Sequence, residues 1–110
     1  MIALLNDVKP APFDLSAYLN SEDEGERLAA YAYLYANPDS TLTQNIAATL
    51  AKDNPFAQYW ALRTLRRQLR ADPQALDWST RRSLEGLLSV FAPETDRGYE
   101  LRQLLNDVAA

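Results

Sequence analysis

A chain of 110 residues with neither cysteine nor histidine is long enough to bury one core unaided, and it excludes disulfides, thiolate metal sites, thiol nucleophiles and imidazole bases. With 47% hydrophobic and 24% charged residues, it has the composition of a globular domain rather than a disordered chain. Its net charge of -4 is opposite in sign to the usual nucleic-acid footprint, and no apolar run approaches the ~18 residues that span a bilayer.

Residues 1–13 read as an N-terminal segment that ends in the linker Lys9-Pro10-Ala11-Pro12, and residues 14–110 as a single helical core. Met1 to Asp7 has no basic region and no cleavage site, so a cytoplasmic location is expected, with neither secretion nor membrane insertion. Asp14 caps a short helix whose Leu15, Tyr18 and Leu19 share one face. Ser21 with Glu24 forms a capping-box pattern for a second helix that runs to about Asn37, ahead of Pro38. Thr41 and Gln44 repeat the box for a third helix carrying Leu42, Ile46 and Leu50. A fourth helix opens at Pro55 and stops near Ala71, before Asp72-Pro73. The fifth begins at Trp78 or Ser79 and carries Leu84, Leu87, Leu88 and Phe91 at i, i+3, i+4, i+7; the sixth follows Thr95 with Leu101, Leu104, Leu105 and Val108. No segment alternates as a strand does. The fold class is therefore all-α, five to six helices packed as antiparallel pairs, with Ala30, Leu34, Ala61, Leu65, Leu84 and Leu88 inside.

A shift of 31 residues lays Arg27 to Leu34 over Gln58 to Leu65, alanine on alanine and leucine on leucine. Asp23 before Arg27, and Asp53-Asn54-Pro55-Phe56-Ala57 leading into Ala61 and Leu65, resemble the second-helix signature of HEAT-like and armadillo-like repeats. The resemblance covers Ser21 to Arg70 and implies a degenerate HEAT-like bundle. Gln58 stands where such repeats carry arginine, Glu26 stands where they carry a small apolar residue, and Asp96 to Leu105 fits only loosely. The stretches Tyr31 to Pro38 and Pro55 to Trp60 are similar to small helical accessory domains of bacterial signalling or defence effectors. Leu4-Leu5-Asn6-Asp7-Val8 recurs as Leu104 to Val108, a match without a physical account.

The fourth helix carries the candidate site. Ala61, Leu62, Leu65 and Leu69 gather on one side; Arg63, Arg67 and Arg70 gather on the other, with Arg66 at the margin and Phe56, Tyr59 and Trp60 on the arginine side. Tyr59 and Trp60 lie four and three residues before Arg63, where stacking is geometrically open. Arginine and aromatic residues are also those enriched at interface hot spots. The competing expectation is that the rings pack under the N-terminal helices and the arginines form a solvated rim. Tyr31, Tyr33 and Tyr35 read as core tyrosines whose hydroxyls need partners, or as the lining of a ligand pocket. Glu22, Asp23, Glu24 and Glu26 lack the glycine-turned ligand loop of a calcium site and read as helix-capping charge, with no metal and no cofactor expected.

These readings converge on a non-catalytic protein-protein interaction or oligomerisation module. Residues 1–60 carry -5 and residues 61–110 carry +1, so the acidic run of one copy is a candidate complement for the arginines of another. The alternative is a nucleic-acid-binding HEAT-like domain gripping through the fourth helix.

Overall fold

Side-chain caps and prolines divide the chain. The computed structural model describes residues 14–109; the Lys9 to Pro12 linker and the first Leu-Leu-Asn-Asp-Val copy lie outside them. Among the described residues six α-helices form: α1 (Leu15–Leu19), α2 (Glu24–Ala36), α3 (Thr43–Thr49), α4 (Pro55–Ala71), α5 (Trp78–Gly86) and α6 (Asp96–Ala109). No strand occurs among the described residues. Asp14, Asn54 and Asp77 cap α1, α4 and α5 by accepting a first-turn N–H, and the Thr95 hydroxyl accepts the Gly98 N–H at 3.0 Å to start α6.

Two expected capping boxes are not used. Asp23, not Ser21, caps α2, accepting from the Gly25 N–H at 2.9 Å, while the Ser21 hydroxyl accepts from the Asp23 N–H and donates to Glu26. A carboxylate at the positive end of a helix outcompetes a neutral hydroxyl two residues upstream. Likewise Asp39 holds Thr41 through both its N–H and its hydroxyl, producing a 3₁₀ turn over Ser40–Leu42, so α3 starts only at Thr43. Gln44 donates instead to the Ala75 carbonyl. The fifth helix is also shorter than its apolar spacing predicts. Its α-helical part ends at Gly86 and tightens into a 3₁₀ turn over Leu87–Ser89, because Arg102 of α6 takes the Leu88 and Phe91 carbonyls. Phe91 still reaches the core, from the turn rather than from the helix.

The helices stack as three hairpins in two layers. Thr43, at the start of α3, meets Gln68 near the end of α4, which is the antiparallel arrangement expected of neighbours in sequence. Between hairpins the order is different. Asn54 bonds Glu24, Thr64 bonds the Tyr31 carbonyl and Arg67 bonds the Tyr35 carbonyl, at separations of 30, 33 and 32 residues, so α2 and α4 run parallel. Phe56 shares a hollow with Asp96 and Leu69 one with Leu104, which places α6 parallel to α4 as well. Helices α2, α4 and α6 thus form one layer, and α1, α3 and α5 the other. The central α4 buries Ala57, Ala61, Leu62, Leu65 and Leu69 against Ala30, Tyr31, Leu34, Ile46, Leu101 and Leu104. Ala30, Leu34, Ala61, Leu65 and Leu84 lie inside as expected, whereas Leu88 is only half-buried at the edge.

Gln68 shows how α4 fixes the connector between α2 and α3. It is wholly buried, donates to the Asp39 carbonyl and to Thr43, and accepts from the Asp39 N–H at 2.8 Å. The Asp39 N–H lies outside any helix and is satisfied by this side chain, whereas the Asp39 carbonyl also accepts from the Leu42 N–H of the 3₁₀ turn.

Gly98 marks a close approach of α6 to the turn before it. A methyl group there would sit 1.8 Å from the Ala92 carbonyl oxygen, whereas at Gly86 it would meet nothing within 4 Å. Replacing a helical glycine by alanine ordinarily stabilises by about 0.5–1 kcal/mol. The two sites should therefore differ in sign: Gly86→Ala raises the melting temperature, and Gly98→Ala lowers stability by about 1–3 kcal/mol through the forced backbone shift. Thermal melts of the two variants check this, and a Gly98→Ala protein as stable as the parent would contradict the packing.

Candidate protein-binding face

The face is built where the end of α2 lies beside the middle of α4. Arg63 is at its centre. Its guanidinium donates to the Tyr59 and Tyr35 hydroxyls, each at 3.1 Å, and lies 5.6 Å, 5.8 Å and 5.6 Å from the ring centres of Tyr35, Tyr59 and Trp60. Trp60 meets both tyrosines edge-on, at 5.9 Å and 5.8 Å, the arrangement that ring quadrupoles favour. The hydrogen bonds from Arg63, first to Tyr59 and then to Tyr35, raise its pKa above the ordinary arginine value. One turn on, Arg67 lies 5.9 Å from the Tyr35 ring centre and donates to the Tyr35 carbonyl in the last turn of α2, where carbonyls lack helical partners.

The seven residues singled out on α4 do not all belong to this cluster. Tyr59, Trp60, Arg63 and Arg67 come together with Tyr35, and Phe56 extends the face, 62% exposed. Arg66 leans toward α6. It pairs with Glu100 of α6 at 3.0 Å and approaches Asp107 at 3.4 Å, so it ties α4 to α6 within their layer. Its marginal position on the helical wheel is the reason. Arg70 is exposed and stands between a small depression shared with Tyr35 and a larger hollow of about 520 Å³ lined by Leu69, Leu104 and Val108. Among the described residues, no carboxylate lies within ion-pairing distance of Arg63, Arg67 or Arg70.

Phe56 and Trp60 also form the α4 wall of an apolar groove of about 220 Å³, whose other wall is Leu28 and Ala32 of α2. The rings are therefore neither wholly under the N-terminal helices nor free of α2: Tyr59 and Trp60 are half-buried, and the arginines frame them.

Three of the four residues of the acidic run make bonds within their own chain. Asp23 caps α2, Glu24 accepts from the Asn54 backbone and side chain at 2.7 and 2.5 Å, and Glu26 accepts from Ser21. Only Glu22 of the four makes none of these bonds.

Sequence reasoning missed two features. The sequence groups Tyr35 with Tyr31 and Tyr33 as core or pocket-lining tyrosines, yet it belongs to the face; four residues beyond the buried Tyr31, at the end of α2, it lies opposite Arg63 and Arg67. The second is a buried network under the α2/α4 contact. Arg27 pairs with Asp53 at 2.6 Å and donates to the Ser21 carbonyl; the Tyr31 hydroxyl donates to Asp53 at 2.6 Å and lies 2.9 Å from the Thr49 hydroxyl. Burial opposes the charge on Arg27, but the hydrogen bond and charge of Asp53 outweigh it and raise its pKa. Burial, followed by the bond to Asp53, pushes the Tyr31 phenol above the usual tyrosine range. This network locks two hairpins together, and Arg27, Tyr31, Thr49 and Asp53 are all buried.

No protein-family model, curated protein or solved structure matches the chain. Among the described residues, no helix is long and apolar enough to cross a membrane.

Proposed function

We propose that this chain is a non-catalytic protein-interaction module, a degenerate HEAT-like array acting as an accessory domain, which binds its partner on the α2/α4 face. The observation that carries the reading is the set of arginines, Arg63, Arg67 and Arg70, standing without carboxylate partners among the described residues, beside the exposed Phe56 and the half-buried Trp60. A helical surface rich in arginine and aromatic side chains has the composition of an interface hot spot. Parallel α2 and α4, cross-linked at separations close to the 31-residue sequence shift, also support the repeat reading. A separate partner fits better than a second copy, because Asp23, Glu24 and Glu26 are engaged within their own chain.

The test reverses Arg63, Arg67 and Arg70 to Glu in the full chain and follows self-association by light scattering and partner capture by pull-down, at low and moderate salt. A folded triple variant should lose capture, and the parent's capture should weaken with salt. Capture unchanged by the reversal removes this face from the function. Loss of binding to a single-stranded oligonucleotide, with no protein captured at all, would instead favour a nucleic-acid binder, against the net charge of -4.

A further inference from the structure

We infer that the partner segment taken by this face is acidic and carries one apolar side chain, which enters the Leu28/Ala32/Phe56/Trp60 groove while carboxylates beyond it meet Arg63, Arg67 and Arg70. The inference rests on the protein-interaction reading and names its partner's chemistry.

Charge decides the sign. Arg63, Arg66, Arg67 and Arg70 surround one depression with Glu100 as its only carboxylate among the described residues, and that carboxylate is committed to Arg66. The remaining cations call for an acidic group from outside. Guanidinium forks take carboxylates bidentately, and Arg63 is already oriented by two phenol oxygens, so little side-chain freedom is lost on binding.

Geometry decides the spacing. Phe56 and Trp60 precede Arg63 and Arg67 by about two helical turns, roughly 10 Å along α4 at 1.5 Å per residue. An extended segment covers that distance in about three residues. The apolar anchor and the first carboxylate are therefore about three residues apart, and Arg70, one turn further on, takes acidic residues beyond.

The other occupants fit less well. Residues 1–13 of this chain offer one carboxylate, Asp7, against one lysine, Lys9, so they bring no net side-chain charge to the arginines. A nucleic-acid strand places phosphates at regular intervals along its length, but one end of this face is an apolar groove lined by Leu28, Ala32, Phe56 and Trp60.

The experiment uses the full chain carrying Trp78→Phe, which leaves Trp60 as the sole tryptophan reporter; Trp78 is 70% exposed on α5 and outside the face. The probes are acetylated Gly/Ser peptides with one phenylalanine and a run of three glutamates, the separation varied from about one to seven residues around the extended-chain value. Titration followed by Trp60 fluorescence should show the tightest binding near a three-residue separation and weaker binding as salt rises. Replacing the glutamates by lysine, or the phenylalanine by alanine, should weaken binding about tenfold or more, as should Arg67→Glu with Arg70→Glu. Arg70→Glu alone, at an exposed side chain without a hydrogen bond among the described residues, should act in the same direction and disturbs no packed side chain. Equal binding of the lysine peptides, indifference to both arginine variants, or stronger binding of a single-stranded oligonucleotide of matched charge overturns the inference. So does failure of every peptide to bind below about 1 mM. If every peptide fails while pull-down capture still depends on the arginines, only the partner chemistry is wrong; if that dependence is also absent, the interaction reading fails with it.

Discussion

Asp53→Ala is expected to destabilise the fold by about 3–5 kcal/mol, the cost of leaving a buried guanidinium without its partner. Asp53 sits in the turn before α4 and accepts from two residues of α2, Arg27 and Tyr31, each at 2.6 Å. Its removal takes one acceptor from each donor at once. Arg27 keeps only the Ser21 carbonyl, and Tyr31 keeps only the Thr49 hydroxyl, which itself donates to Ile46. Neither donor has an easy route to water, because Arg27 is 5% exposed and Tyr31 is fully buried. The cost belongs to the uncompensated charge, not to a strong pair. A double variant, Arg27→Met with Asp53→Leu, should therefore recover most of the loss, since well-packed apolar replacements of a buried ion pair are often neutral or better. Urea unfolding of the single and double variants separates the two explanations. A single variant within about 1 kcal/mol of the parent would show that Arg27 escapes to solvent.

The elements that could be read from the sequence are those whose signals are local. Pro55 with Asn54 and Asp72-Pro73 fix both ends of α4, and Asp14 fixes the start of α1, because caps and prolines act within a few residues. The boundaries that shifted did so through distant partners or close competitors. Asp23 displaced Ser21, and Arg102 of α6, 14 residues from Leu88, reshaped the end of α5. The face was partly legible for the same reason. Tyr59, Trp60, Arg63 and Arg67 share one helix, so helical periodicity collects them. Tyr35 comes from α2, and its pairing with Arg63 across 28 residues is a tertiary fact. The Arg27–Asp53 pair, 26 residues apart, leaves no mark in either segment's periodicity.

Leu65→Ala is expected to cost about 2–5 kcal/mol, with the value toward the upper part of that range. Leu65 is completely buried on α4, the helix that contacts α2, α3 and α6. A cavity opened there is bounded by several independently anchored elements. Thr64 is tied to the Tyr31 carbonyl, Gln68 to Asp39, and Arg66 to Glu100, so the helices on either side are held at their distances while the side chain between them is removed. Collapse is what lowers the cost of a large-to-small substitution, and these cross-links oppose it. Leu88 supplies the comparison. It is half-buried on the 3₁₀ turn after α5, at the margin of the core, where neighbours and solvent can fill the space. Leu88→Ala should therefore cost clearly less than Leu65→Ala in the same urea series. Equal costs would mean that α4 is not the element around which the two layers close. The binding face would then lose its fixed platform, because Trp60, Arg63 and Arg67 are held toward Tyr35 only as firmly as Ala61 and Leu65 are held in the core beneath them.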